Sequence, residues 1–268
     1  MKKAERGLYK IIKNEEISPG IFELCVSAPE IVLASTAGQF VNIYLPDKTM
    51  LLPRPISIAD ACDKTLMLVY ASVGKGTLAL TDLGAGKTIE IMGPLGNGFF
   101  DYEGNILDEL PKATGEDRFS VLLIGGGVGI PPLYFAAKKI KMVFQERVNI
   151  ICAIGFRDEP WYEDEFKRVC DQVYIVSETE GKAQFTGNVV TLLEETKTST
   201  QLPILALTCG PRPMLKAVSE WCKGQETPLR ISMEERMGCG YGACAGCSMC
   251  GKKVCTDGPV FWADEIIW

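Results

Sequence analysis

The first hundred residues contain short stretches in which apolar and polar positions alternate. Five of them are rich in β-branched or apolar residues, and each is bounded by Gly, Pro, Asp or Lys. They read GIFELCVSA, GQFVNIYLP, PISIADAC, TLMLVYASV and TIEIMGPL. Short strands at this spacing, with few helical stretches between them, are typical of a small antiparallel β-barrel. We therefore expect a barrel domain over residues 1–100.

A different pattern begins at residue 119, where buried strands alternate with stretches of helical spacing. The strand FSVLLIGGG precedes PPLYFAAKKIKMVFQE, whose prolines stand at a helix start, where they are tolerated. Three more strand and helix pairs follow, the last of them PILALTCG and PMLKAVSEWCK. Strict alternation predicts a parallel sheet with helices on both faces over residues 119–228.

Two segments lie outside these patterns. Residues 101–118 are polar, contain Gly and Pro, and are predicted to form a linker. Residues 229–268 are rich in Cys and Gly, so we expect a metal centre to stabilise them in place of an apolar core. The predicted fold class is β plus α/β: an antiparallel barrel, a parallel-sheet domain and a C-terminal metal-binding segment.

Composition narrows the classes of function. The net charge of −6 argues against nucleic-acid binding, and the absence of histidine removes the commonest general base and excludes a Rieske-type centre. The N-terminus lacks the apolar core of a signal peptide, and the most apolar stretch is interrupted by Gly and Pro. We expect a cytoplasmic protein with neither a membrane nor a nucleic acid as partner, in which clustered cysteines bind metal.

Five of the eleven cysteines lie within seventeen residues near the C-terminus. Cys239, Cys244 and Cys247 follow the C-x4-C-x2-C spacing of plant-type [2Fe–2S] proteins, with Cys255 as a fourth candidate ligand. Cys250 leaves alternatives open, because a run through it resembles a [4Fe–4S] motif and two CxxC pairs resemble a zinc knuckle. The spacing favours a [2Fe–2S] cluster.

Glycine-rich loops mark two candidate phosphate sites. LLIGGGVGIPPL places glycines between a buried strand and a helix start, where a pyrophosphate can approach closely. In the first hundred residues, RPIS offers an arginine that can bind a phosphate, and VGKGT offers a turn with N–H groups and a hydroxyl. Each motif alone also fits an ordinary turn or a surface residue.

Taken together, these motifs resemble the ferredoxin–NADP⁺ reductase superfamily, and within it the electron-transfer subunits of class 1B dihydroorotate dehydrogenase. The resemblance covers nearly the whole chain in the family's order. Its motifs are AGQFVNIYL, RPISI, VYASVGKGT, MGPLGNGF, LLIGGGVGIPPL, CGPRPML, MEERMGCGYGACAGC and KVCTDGPVF. The gap between the third and fourth cysteines is shorter than the family pattern, and Ile56 stands where the wider superfamily has tyrosine.

The resemblance implies three cofactors, FAD, NAD(H) and a [2Fe–2S] cluster, and a set of site residues. The implied FAD residues are Arg54, Pro55, Ile56, Ser57, Val69, Tyr70, Ala71, Gly76 and Thr77. The implied nicotinamide residues are Gly125, Gly126, Gly127, Gly129, Cys209, Gly210 and Pro211. Ser57, near the flavin ring, and Cys209 are the implied catalytic residues. Cys239, Cys244, Cys247 and Cys255 are the implied cluster ligands.

The resemblance also implies a partner, an FMN-containing dihydroorotate dehydrogenase catalytic subunit, in a heterotetramer with two copies of each subunit. The chain would then serve pyrimidine biosynthesis by moving electrons between NAD(H) and that subunit. Alternatives in the same superfamily are the small subunit of a ferredoxin:NADP⁺ transhydrogenase and a hydrogenase diaphorase subunit. A zinc-binding interaction module is an alternative from another class. The choice between NADH and NADPH stays open in the sequence: Arg157 can bind a 2′-phosphate, whereas Asp158 and Glu159 beside it repel one, which favours NADH.

Overall fold

The protein divides into two compact units, each made from two stretches of the chain. The structure, a computed structural model, describes residues 4–47, 49–100, 118–196 and 203–268. One unit comprises Met1–Gly98 and Glu234–Pro259, and the other comprises Phe99–Met233 and Val260–Trp268. The predicted linker, residues 101–118, lies outside the described residues except for Arg118.

The first unit contains a closed barrel, which confirms the predicted barrel. Its strands are β1 (Glu5–Ser18), β2 (Ile21–Ser27), β3 (Phe40–Tyr44), β4 (Arg54–Cys62), β5 (Thr65–Ala71) and β6 (Thr88–Leu95). They pair antiparallel in the order β1-β2-β5-β4-β3-β6. Helices α1 (Pro29–Ala34) and α2 (Lys75–Thr81) connect strands. Alternate apolar side chains fill the interior, among them Ile11, Leu24, Ile43, Ile58, Leu66 and Leu68.

Three barrel elements were not predicted: strand β1 and the short helices α1 and α2. Strand β1 has its alternation obscured by apolar pairs, because Tyr9 and Ile11 point inward while Leu8 and Ile12 are 73% and 49% exposed. The GKGT stretch, predicted as a turn, instead begins helix α2, where the N–H of Gly74 donates to Thr77 Oγ1 at 3.1 Å.

The second unit contains the predicted parallel sheet. Its strands are β7 (Phe119–Gly126), β8 (Val148–Phe156), β9 (Gln172–Ser177), β10 (Phe185–Thr186), β11 (Leu205–Cys209), β12 (Leu229–Ser232) and β15 (Val260–Trp262). Their order is β10-β9-β8-β7-β11-β12-β15. The helices are α3 (Ile130–Phe144), α4 (Glu163–Lys167), α5 (Val189–Thr196) and α6 (Arg212–Gly224). All eight residues of β7 are buried, as expected for a central strand covered on both faces.

The C-terminal residues divide differently from the predicted single segment, 229–268. Strand β12 is fully buried and pairs parallel with β11, and β15 pairs antiparallel with β12. The stretch between them, Glu234–Pro259, belongs to the barrel unit and carries only a hairpin of β13 (Ser248–Met249) and β14 (Lys252–Lys253). Among the described helices, none has the length and apolar character needed to cross a membrane.

Candidate functional site

Four cysteines of the stretch Glu234–Pro259, which we call the cluster loop, form two pairs. The backbone N–H of Cys244 donates to Cys239 Sγ at 3.3 Å, which brings these two cysteines into contact. Cys247 and Cys255, residues that are 2% and 1% exposed, form the second pair, and Cys247 helps to raise the pKa of the Cys255 thiol. No three His, Cys, Asp or Glu side chains in the described part of the chain converge as a single metal ion requires. A two-iron cluster instead takes one pair of ligands for each iron, which fits the two pairs seen here.

The electrostatics of the loop favour negative charge on sulfur at its first cysteine. Burial raises the pKa of Cys239, but N–H donors of Tyr241, Cys244 and Ala243 outweigh it and leave the pKa at about 6. Burial and the neighbouring Cys247 raise the pKa of Cys255 to about 12. Backbone donors aimed at sulfur are what an anionic iron–sulfur cluster needs around it.

Cys250 and Cys255 differ in their surroundings. Cys250 lies at the turn of the β13–β14 hairpin with a φ of +50° and is exposed. Cys255 is buried beside Cys247. This geometry supports Cys255 as the fourth ligand and gives no support to a [4Fe–4S] run through Cys250. The ligand set remains a prediction.

The predicted flavin stretches lie where two barrel strands separate. In the described barrel, β4 and β5 pair only from Ile58 with Leu68 to Cys62 with Thr65. Residues 54–57 and 69–71 are the parts of these strands beyond the last pair, so their facing backbone edges do not pair with each other. An opening of this kind offers backbone donors and acceptors to the polar edge of a flat ring, which suits a flavin.

The predicted phosphate residues of the barrel also come together. A Cβ at Gly76 would lie 1.8 Å from Arg54 Nε, so the guanidinium crosses the helix start where only glycine leaves room. Arg54 Nη1 donates to the Leu52 carbonyl at 2.5 Å, which fixes the guanidinium at the rim of the barrel. An arginine held beside a helix start is suited to a pyrophosphate.

Among the residues predicted to contact the flavin, Tyr70 is distinct because its side chain is packed and hydrogen-bonded inside the barrel. It is 1% exposed, stacks on Phe22 with ring centroids 5.6 Å apart, and its hydroxyl donates to Asn14 Oδ1 at 3.0 Å. Burial raises the pKa of Tyr70 to about 12. Only its backbone is therefore placed to face the strand opening.

The glycine loop of the second unit separates into packed and open positions. A Cβ at Gly129 would lie 2.5 Å from the backbone of Cys209 and Gly210, and one at Gly126 would lie 2.6 Å from Met214 Sδ. Gly127, with a φ of +53°, has open space around it. Packing thus explains most of these glycines, and the loop's open position is Gly127.

The loop and the CGP stretch meet at the carboxyl edge of the sheet. The ends of β7 and β11 are adjacent, with Cys209 opposite Gly125 in the register. Pro211 precedes α6. The backbones of Gly210 and Gly126 are close, since a Cβ on Gly210 would lie 3.1 Å from the backbone of Gly126. Ligands of open α/β sheets bind at this edge, so the predicted nicotinamide residues are gathered where such a site is expected.

Sequence reasoning missed two asparagines of the barrel unit. Asn42 Nδ2 donates to the Cys239 carbonyl at 2.7 Å, and Asn97 Nδ2 donates to the carbonyls of Thr256 and Asp257 at 3.3 and 3.2 Å. Both partners lie more than 150 residues away along the chain. Periodicity and motif spacing carry no signal for such contacts.

Barrel, parallel sheet and cysteine loop together define an iron–sulfur protein with a ferredoxin–NADP⁺ reductase-like fold. A solved NADH-dependent reduced ferredoxin–NADP oxidoreductase matches with a TM-score of 0.82 and 29% identity, over 98% of this chain and 90% of that one. A ferredoxin NADP⁺ reductase from Neisseria gonorrhoeae shares the fold, with a TM-score of 0.61 and 18% identity over 83% of this chain and 92% of that one.

The family follows from sequence comparison. Residues 234–267 match the iron–sulfur cluster binding domain of dihydroorotate dehydrogenase B. The electron transfer subunit of dihydroorotate dehydrogenase B (NAD⁺) from Bacillus pumilus is 36% identical, with 98% of both chains covered. The subunit of that name from Geobacillus thermodenitrificans is 35% identical, with 96% of both covered. The chain belongs to the family of dihydroorotate dehydrogenase B (NAD⁺) electron transfer subunits, as its motifs predicted.

Proposed function

We propose that this chain passes electrons between NAD(H) and an FMN-containing dihydroorotate dehydrogenase catalytic subunit of pyrimidine biosynthesis, by way of FAD and a [2Fe–2S] cluster. FAD, when bound, exchanges two electrons with a nicotinamide and single electrons with an iron–sulfur centre. One observation carries the proposal: the cluster loop belongs to the same compact unit as the barrel. Electrons move efficiently only over short distances, so a cluster loop on the flavin-binding unit suits this chemistry.

The barrel residues have distinct roles in this proposal. Arg54 binds the FAD pyrophosphate, with Gly76 leaving it room and Thr77 at the same helix start. The separated edges of β4 and β5 would hold the flavin ring, and Ser57 in this part of β4 would supply a hydroxyl near it. Pro55, Ile56, Val69, Tyr70 and Ala71 contribute the remaining contacts of the opening.

The sheet unit binds NAD(H) at its carboxyl edge. Gly127 admits the pyrophosphate at the start of α3, while the packed glycines Gly125, Gly126 and Gly129 shape the loop. Cys209 at the end of β11, with Gly210 and Pro211, would contact the nicotinamide.

A partner subunit has to supply the chemistry of dihydroorotate. This chain contains no histidine, and none of its proposed site residues is an acid–base pair for removing protons from carbon. We infer an FMN-containing partner, two copies of each subunit, and a cytoplasmic location, where clustered thiols stay reduced for cluster assembly.

The test is to assay the purified chain alone and with the FMN-containing subunit. Alone, it should reduce a dye with NADH and show no turnover of dihydroorotate. Addition of the partner should give NAD⁺-dependent oxidation of dihydroorotate. Dihydroorotate oxidation by the isolated chain, or no gain on adding the partner, would refute the proposal.

A second candidate function rests on the 29% identity and TM-score of 0.82 with the NADH-dependent reduced ferredoxin–NADP oxidoreductase. In that case the chain would serve a ferredoxin-linked complex. Dihydroorotate dehydrogenase B subunits are more similar, at 36% identity. Coupled reduction of NADP⁺ by reduced ferredoxin, found after co-purification with a native partner, would favour the second candidate.

A further inference from the structure

Asn42 is a fully buried amide at the centre of the barrel unit. It lies on β3 with 0% exposure, paired with Met92 of β6 on one side and with Pro55 of β4 on the other. A buried primary amide is destabilising unless it forms hydrogen bonds, so the group to which Asn42 bonds indicates the role of this side chain. That partner is the carbonyl oxygen of Cys239, which Nδ2 reaches at 2.7 Å across 197 residues of sequence.

The backbone of Gly240, directly after Cys239, packs so closely on the Asn42 amide that no side chain would fit between them. Gly240 has a φ of +75°, and a Cβ there would lie 2.4 Å from Asn42 Nδ2 and 2.9 Å from its Cγ. The other polar atom of the amide, Oδ1, is buried without a hydrogen-bond partner among the described residues. An amide chosen for barrel stability alone would not leave an acceptor unsatisfied, because that lowers stability.

A second asparagine holds the other end of the loop. Asn97 Nδ2 donates to the carbonyls of Thr256 and Asp257, directly after Cys255, and its own backbone N–H donates to Gly258 at 2.6 Å. Barrel amides therefore hold the loop on both sides of the cysteines. Asn42 differs from Asn97 because it is fully buried and bonds to a ligand residue itself.

We propose that Asn42 is a positioning residue that fixes Cys239 against the flavin-binding strand of the barrel. The inference rests on the cluster and flavin of the proposed function. Asn42 pairs with Pro55, inside the stretch 54–57 predicted to contact the flavin, and its side chain ends on the first cluster ligand. It thus links the two redox sites through one strand pair and one hydrogen bond. Groups that orient a metal ligand in this way tune the affinity and potential of the metal centre.

The first test compares Asn42→Ala with Asn149→Ala in the full chain. Asn149 is a matched control, since its Nδ2 donates to Ser120 Oγ at 3.2 Å in the other unit. We expect Asn42→Ala to lose iron to a chelator about tenfold faster, in line with other groups that orient metal ligands. Its cluster should also show altered EPR g values and reduction potential, while FAD content stays at the wild-type level. Asn149→Ala should match the wild type in each cluster measurement.

The second test leaves the barrel untouched. Gly240→Ala and Gly251→Ala impose the same backbone strain, with φ values of +75° and +78°, but only Gly240 contacts Asn42, while Gly251 has open space. Gly240→Ala should reproduce the cluster defect and Gly251→Ala should not. Combining Gly240→Ala with Asn42→Ala should give less than the sum of the two effects, since both disrupt one contact.

The outcomes are distinct. Wild-type iron loss, EPR signal and potential in Asn42→Ala would overturn the inference, even if its thermal stability fell. Should Asn42→Ala fail to fold, equal behaviour of Gly240→Ala and Gly251→Ala would overturn it instead. A wild-type protein that never binds a cluster would contradict the proposed function itself, before any variant is compared.

Discussion

The cluster loop and the parallel sheet are each stabilised by different interactions. Every residue of β7 is buried, and the neighbouring strands and helices bury apolar side chains around it. The cluster loop has only two strands of two residues each, and its anchors are amide and backbone hydrogen bonds to the barrel. Apolar burial stabilises the sheet without any ligand, whereas the loop needs a metal centre to complete it.

Substitutions in the sheet core and substitutions in the cluster loop should therefore have different effects. Residues of the sheet core should affect stability throughout the second unit and leave cluster spectra alone. Residues of the loop should affect the cluster and leave the sheet folded. Substitutions that break this separation would show that the comparison is wrong.

The largest effect should come from the predicted fourth ligand. Cys255→Ser removes a buried thiol beside Cys247 and should abolish a stable cluster, with a drop in bound iron of about tenfold or more. Cys250→Ser is the control, because Cys250 is exposed at the hairpin turn. Iron analysis and EPR check this pair, and the reverse result would assign Cys250 as the ligand. The sheet should unfold at the same temperature in both variants.

Core truncation should have the next largest effect, on stability alone. Leu123 is fully buried in β7, so Leu123→Ala should lower the free energy of unfolding by about 2–5 kcal/mol. Met142→Ala on α3, where Met142 is 65% exposed, should change it by less than about 0.5 kcal/mol. Urea unfolding followed by circular dichroism measures both. A change in the cluster EPR signal of folded Leu123→Ala would show that sheet and loop are not separable.

A smaller effect is expected at the glycine loop. Gly129→Ala places a Cβ 2.5 Å from the backbone of Cys209, and overpacking of this kind costs about 1–3 kcal/mol. NADH should also bind more weakly, because the loop must shift. Gly224→Ala at the end of α6 meets open space at an ordinary backbone φ and should keep near-wild-type stability. Thermal unfolding and NADH titration test the pair, and equal stability losses would contradict the packing explanation.

The smallest effect concerns thiol reactivity. Burial raises the pKa of Cys222 to about 12, so at pH 8 about one thiol in ten thousand is ionised and able to react. Its reactivity should increase only as the pH approaches 12. Exposed Cys62 should be alkylated readily at pH 8. Mass spectrometry after iodoacetamide treatment of native protein distinguishes them, and labelling of Cys222 at the rate of Cys62 would contradict its burial.

The sequence predicts most of the architecture because local patterns determine it. Alternation of apolar and polar residues marks strands β2 to β6 of the barrel, and continuous apolar runs mark β7 and β8. Strand β1 escapes because the pairs Leu8–Tyr9 and Ile11–Ile12 hide which residues point inward. The division of residues 229–268 between two units depends on pairing between β12 and β11, which no local pattern encodes.

The candidate site is predictable to a similar extent. Cysteine spacing and glycine loops indicate where the cofactors belong. The separation of β4 from β5 beyond Ile58 and the contact of Asn42 with Cys239 arise only when distant stretches meet. A buried Asn in the middle of a strand looks, in sequence, like any polar residue on a barrel.

The most direct test of the electron-transfer account is an EPR spectrum of the anaerobically purified chain before and after addition of NADH, with FAD, iron and sulfide measured in the same sample. The account predicts iron and sulfide in equal amounts, FAD at about half of each, and a reduced [2Fe–2S] signal that develops with NADH alone. Protein that lacks FAD or sulfide, or whose flavin is reduced by NADH while the cluster stays oxidised, would contradict it.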